Sequence, residues 1–97
     1  MPTLLAQARA DELQRQLARL IGHEQARVRP YGKHLLIQMH RDDDVDTVAR
    51  LTELARNRYT AAFRSHTGRW EPLPINGDLE QAADSIVTLL APFLAAE

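Results

Sequence analysis

The stretch DDDVDTVARLTELARNRY, residues 42–59, can fold in two ways, and the architecture of the whole chain turns on which one it takes. As a helix it would start from a capping aspartate at Asp44 or a neighbour, with Val45, Val48, Leu51, Leu54 and Ala55 as a loose apolar stripe. As a strand, TVARLTEL (47–54) runs from the acidic turn Asp42-Asp43-Asp44 to a second turn at Arg56-Asn57-Arg58. It then pairs with YTAAFRSH (59–66). Residue propensity favours the helix, but turn signals recur about every eight to twelve residues along this part of the chain, the spacing of an antiparallel meander. A strand is expected.

Working outward, QARVRPYGKHLLIQMHR (25–41) alternates Ala26 and Val28 against Arg27 and Arg29. After Pro30-Tyr31-Gly32-Lys33 it alternates Leu35, Ile37 and Met39 against His34, Leu36, Gln38 and His40. This predicts a hairpin. Upstream, TLLAQARADELQRQLARLIG (3–22) repeats Ala6, Ala10, Leu13, Leu17, Leu20 and Ile21 at helical spacing and stops at Gly22. Downstream, NGDLEQAADSIVTLLAPFL (76–94) sets Gln81 three residues after Asp78, as a capping box requires. It repeats Leu79, Ala82, Ala83, Ile86, Leu90 and Phe93 and should kink or end at Pro92. The expected fold is α+β: one domain over 1–97, a four-stranded antiparallel β-meander with the N-terminal and C-terminal helices on one face (α-ββββ-α). The alternative, α-ββ-α-ββ-α, follows if the third strand is a helix.

Three segments, VARLTEL (48–54), RYTAAF (58–63) and HTGRWEPLP (66–74), precede the capped helix. Their combination resembles a family of small uncharacterised bacterial proteins of about this length. The resemblance implies no activity and transfers no residue role; it adds weight only to the strand at 47–54.

Composition narrows the function classes. Twelve Lys plus Arg against thirteen Asp plus Glu give a net charge of −1, so bulk charge does not suggest a nucleic-acid protein. There is no cysteine, hence no disulfide, thiolate metal site or thiol nucleophile. Neither a signal-peptide pattern nor an apolar run of about 20 residues is present, and a soluble, cytoplasmic protein without membrane contact is expected.

Catalytic chemistry finds little support. Ser65 and His66 are strand neighbours and point to opposite faces, so they cannot act as nucleophile and base, and Ser85 lies inside the last helix. Asp42, Asp43, Asp44 and Asp46 are expected to be a solvated turn or a set of helix caps rather than a paired-carboxylate site. The four glycines are isolated and make no phosphate loop. His34 and His40 share a face, but six residues at about 3.3 Å each hold them roughly 20 Å apart, too far for one ion. His40 with Asp42 or Asp44 could form only a loose divalent site. No enzyme, cofactor or metal is expected.

The outer face of the sheet carries the main signal. If Val28, Ile37, Met39, Leu51 and Phe63 face the helices, alternation sends Arg27, Arg29, His34, Gln38, His40, Arg50, Arg64 and His66 to the other side. That is a basic face on a near-neutral protein. It is either a solvated surface or a binding surface for phosphate or carboxylate groups. Aromatic stacking platforms are not expected on it, since Trp70 and the tyrosines fall at turns or strand ends. Arg69 and Trp70 mark a corner, with Trp70 packed beside Phe63 and Pro72 and Pro74 leading on to the last helix; a recognition role for that corner is the alternative. The expected function is a small non-enzymatic protein-interaction module, docking another protein or itself as a homodimer through a strand edge or exposed Leu36 and Val48. Anion or nucleic-acid binding through the basic face, at Arg27, Arg29, His34, Arg50 and Arg64, is the alternative.

Overall fold

Among the described residues each strand after the first pairs with the strand before it in sequence, and the two helices that flank the sheet in sequence pack together over one of its faces. The computed structural model describes residues 3–95. Helix α1 (Leu4–Ile21) is capped by Thr3, whose Oγ1 accepts from the Ala6 amide at 3.0 Å. It ends at Gly22, at φ 80°, a left-handed position where only glycine avoids a steric cost. The sheet follows as β1 (Ala26–Tyr31), β2 (His34–Arg41), β3 (Asp44–Ala55), β4 (Arg58–Arg64) and β5 (Trp70–Gly77), antiparallel throughout in the order β1-β2-β3-β4-β5. Helix α2 (Leu79–Leu90) closes the domain. Its Asp78–Gln81 capping box is formed in both directions, and a 3-10 turn over Ala91–Phe93 takes over where Pro92 forbids further helix.

The residues at 42–59 are thus strand, turn and strand. Asp42 and Asn57, at φ 49° and 56°, supply the left-handed residue in the turns on either side of β3. Asp and Asn tolerate that conformation through local side-chain hydrogen bonding. Between β2 and β4, β3 sends Ala49 and Leu51 into the core and Arg50 and Thr52 to the other face. Packing on both sides overrides the helical preference of single residues.

The expectation of four strands is corrected to five. Trp70–Gly77 pairs with β4, Ala61 opposite Leu73, Ala62 opposite Pro72 and Arg64 opposite Trp70. A strand with two prolines is admissible at an edge, where the missing amides need no partner. A second correction concerns Val48, expected on the surface but only 8% exposed and part of the core. The register shifts opposite Ile37 and Gln38, and the extra residue in β3 turns Val48 inward.

The core joins Ala10, Leu13 and Leu17 of α1 and Ala82, Ala83, Ile86 and Leu90 of α2 to the inward row of the sheet, including Ile37, Met39, Ala49, Leu51, Tyr59 and Ile75. At one end of this layer Arg9 of α1 donates to both the Glu53 carboxylate and the Tyr59 hydroxyl, tying the first helix to β3 and β4. No helix among the described residues is long and apolar enough to cross a membrane.

Candidate functional site

Because both helices lie on one side, the other face of the sheet is uncovered, and the strand registers assign its residues row by row. One row across the strands reads Arg29, Leu36, Arg50, Ala62, Pro72. The next, in one direction, reads Tyr31, His34, Thr52, Thr60, Asn76; in the other direction Arg27 stands opposite Gln38, and Arg64 opposite Trp70. Arg27, Arg29, His34, Arg50 and Arg64 are therefore on one surface, as alternation requires. No Asp, Glu or Lys stands in these rows: Asp46 is paired with Met39, Glu53 with Tyr59 and Glu71 with Phe63, all on the helix side.

Two expected positions change. His66 lies beyond the end of β4 and leaves the face. Trp70 opens β5 on the outward side and does not pack beside Phe63, which faces the core. It stacks instead on Arg50, whose guanidinium carbon lies 4.5 Å from the ring centroid. Arg69, next to it, is exposed in the turn before β5. Only a register that includes a fifth strand brings Trp70 onto the basic face.

The electrostatics of the face follow from this crowding. Arg9, Arg15 and Arg41 are each engaged by acceptors elsewhere in the fold, and Arg58 by Asn76 of the open face. The guanidinium groups of Arg27, Arg29, Arg50 and Arg64 make no hydrogen bond or ion pair among the described residues. Arg50 Nε is in addition shut off from solvent with no acceptor, an arrangement that costs free energy in the isolated domain. His34 Nδ1 lies 2.9 Å from Thr52 Oγ1. Its pKa is lowered from 6.5, first by burial and then by the positive charges of Arg50 and Lys33.

Two measurements check this description. A depressed folded pKa means that the unfolded chain takes up the His34 proton first. The fold therefore loses stability as pH falls through 6.5 towards the lower folded value, and is unaffected by this group above that range. Chemical denaturation of the wild type and His34→Gln across pH 8 to 5 should show a smaller loss in the variant. Trp70→Ala should cost only about 1–2 kcal/mol, from a part-buried cation–π contact and partial burial of the ring, rather than the several kcal/mol of a core plug. Thermal unfolding of the variant reads this directly.

Other concave regions are less organised. A cavity of about 160 Å³ beside the Arg9–Glu53–Tyr59 cluster also borders Lys33 and His34, but its one carboxylate is already bound by Arg9. A groove of about 560 Å³ between the start of β3, the end of β4 and the C-terminal turn is lined by Val45, Phe63, Leu90 and Phe93 with Asp46, Arg64 and His66 at its rim. No group of three or more His, Cys, Asp or Glu among the described residues is placed to hold a metal ion. No protein-family model matches the chain, and no curated protein or solved structure matches it.

Proposed function

We propose that the protein is a small non-enzymatic interaction module whose working surface is the helix-free face of the sheet. The observation that carries this is the composition of that face: arginines with Trp70, Tyr31 and Leu36, and no Lys, Asp or Glu in its rows. Arg, Trp and Tyr are enriched at protein-protein contacts, and Lys, Glu and Asp are depleted there. A face kept only for hydration would have no reason to exclude acidic residues, of which the chain carries thirteen; its single lysine, Lys33, lies in the turn between β1 and β2.

The sheet edges support the face rather than themselves as the contact. In β1 the amides of Ala26 and Val28 point away from β2, since the hydrogen bond from the His40 amide to the Gln25 carbonyl sets the alternation. The Val28 amide donates to Gln14 Oε1 of α1 at 2.9 Å, and Pro30, the next outward position, has no amide. On the far edge Pro72 takes an outward position, and Pro74 beside it also lacks a donor. Strand addition at either edge meets these gaps. A second copy of the chain falls within the proposal as a partner that docks through the face.

The test reverses Arg29 and Arg64 together to Glu, with Arg56→Glu in an exposed turn as control. Both variants should keep the wild-type circular dichroism, because surface substitutions of this kind change stability by only about 0.5 kcal/mol. Used as baits in the native host, the control should retain the wild-type partners and the double reversal should lose them. Equal recovery by all three baits would remove the face from the function.

A further inference from the structure

The row Arg29, Leu36, Arg50, Ala62, Pro72 runs at right angles to the strands, from β1 to β5, and alternates cation and apolar side chain until the last strand. We propose that this face receives an acidic amphipathic polypeptide segment of a partner, laid across the strands with carboxylates opposite Arg29 and Arg50 and apolar side chains opposite Leu36 and Ala62. This rests on the open face being the working surface and specifies what occupies it.

Three observations select this occupant. The first is charge: the guanidinium groups of the four arginines of the face have no hydrogen-bonded or ion-paired partner among the described residues, as those of Arg19, Arg56 and Arg69 away from it also do not, and with no acidic residue in the rows the face calls for a negative complement. The second is spacing. Neighbouring strands lie about 4.8 Å apart, so Arg29 and Arg50, two strands apart, spring from backbone positions about 9.6 Å apart with Leu36 midway, and the Arg50 guanidinium extends from there towards Trp70 of β5. On a helix, residues i and i+7 are about 10.5 Å apart along the axis, with i+3 and i+4 between them. A segment with acids at i and i+7 and an apolar residue at i+3 or i+4 therefore repeats the order of the row.

The third is Trp70. Successive bases stack on neighbouring rings, whereas the two aromatic residues of this face, Tyr31 on β1 and Trp70 on β5, stand on opposite edges of the sheet and Arg50 takes one face of the Trp70 ring. Held there, the Arg50 guanidinium has its plane fixed before a ligand arrives, which is the geometry for carboxylate recognition by a planar fork of donors. The apolar positions Leu36, Ala62 and Pro72 would be wasted under a phosphate backbone but match the apolar stripe of a helix.

The experiment compares three probes, each titrated while following the fluorescence of Trp70, the only tryptophan. The first is a peptide with Glu at i, i+7 and i+14 and Leu at i+3 and i+10. The second has the same composition with its glutamates clustered and its leucines out of phase. The third is a mixed-sequence single-stranded RNA of matched charge. The patterned peptide should bind about tenfold more tightly than the shuffled one, the difference made by apolar contacts in phase with the charges. Leu36→Ser should shrink that ratio without changing the charge of the face. Arg29→Gln with Arg64→Gln should weaken the patterned peptide, and Arg56→Glu should not.

Equal affinity for the two peptides would overturn the proposal by reducing it to counter-charge attraction. Tighter binding of RNA than of the patterned peptide would overturn it in favour of nucleic acid. In both cases sensitivity to the Arg29 and Arg64 substitutions would leave the open face in place as the working surface. Binding of the patterned peptide that is indifferent to those substitutions would remove both the occupant and the face.

Discussion

Replacing Ile37 with alanine is expected to cost the fold about 2–5 kcal/mol, while the same change at Leu36, its neighbour in β2, should cost well under half as much. Ile37 is fully shut off from solvent in the layer between sheet and helices, and its loss leaves a void that packed neighbours cannot close. Leu36 is on the uncovered face between Arg29 and Arg50, where truncation removes partly hydrated surface and leaves no cavity. Denaturant unfolding of the two variants side by side therefore tests the register of the central strands. A one-residue slip would exchange the two results, because every side chain of a strand changes face when its pairing shifts by one. Equal losses would mean that the face carrying Leu36 is covered.

Tyr59 is the second site of large effect. It is 2% exposed, and its hydroxyl accepts from Arg9 Nη1 at 2.5 Å while Arg9 also engages Glu53. Tyr59→Ala should cost about 3–5 kcal/mol, the range for deleting a large buried aromatic. Tyr59→Phe keeps the ring and removes the hydroxyl that accepts from Arg9 and donates to Glu53 at 3.5 Å, so a loss of about 1 kcal/mol is expected, because Arg9 and Glu53 keep each other as partners. Glu53 is more exposed than Tyr59, and screening by water makes the ion pair the weaker half of the cluster. The comparison of Ala and Phe variants by thermal unfolding separates packing from hydrogen bonding. A Phe variant as unstable as the Ala variant would show that the hydroxyl, not the ring, holds α1 at this end.

Both helices were legible because their evidence is local: three- and four-residue apolar spacing, Gly22 at one stop, and Asp78 with Gln81 at one start. The face assignment of β1 and β2 was legible for the same reason, since alternation in ARVRPY and HLLIQMHR is uninterrupted. β5 was not, because Pro72 and Pro74 contradict strand preference everywhere except at an edge, and nothing local reveals that a segment is an edge. Losing that strand also lost Trp70, whose place opposite Arg64 and over Arg50 exists only in the register of β4 with β5. Val48 was misplaced by a single extra residue in β3, which changes the phase of alternation without a sequence mark. Tyr59 reads as the first residue of a strand in sequence, and the arginine that bonds its hydroxyl lies 50 residues away. Arg27, Arg29, His34, Arg50 and Arg64 came together as alternation required; the stack that orients Arg50 depended on contacts between strands.

The gaps at the two edges bear on how a partner can be told apart from other proteins. Where a sheet recruits a peptide as an additional strand, main-chain hydrogen bonds supply much of the affinity, and these are nearly blind to sequence. Here Pro30 and the Gln14 side chain on one border, and Pro72 on the other, remove donors that such a strand would use. If the open face is the working surface, discrimination falls to guanidinium forks and an indole standing on a lattice of strands, and a competitor of the same overall acidity but different periodicity is expected to bind more weakly, a form of selectivity that backbone pairing does not provide.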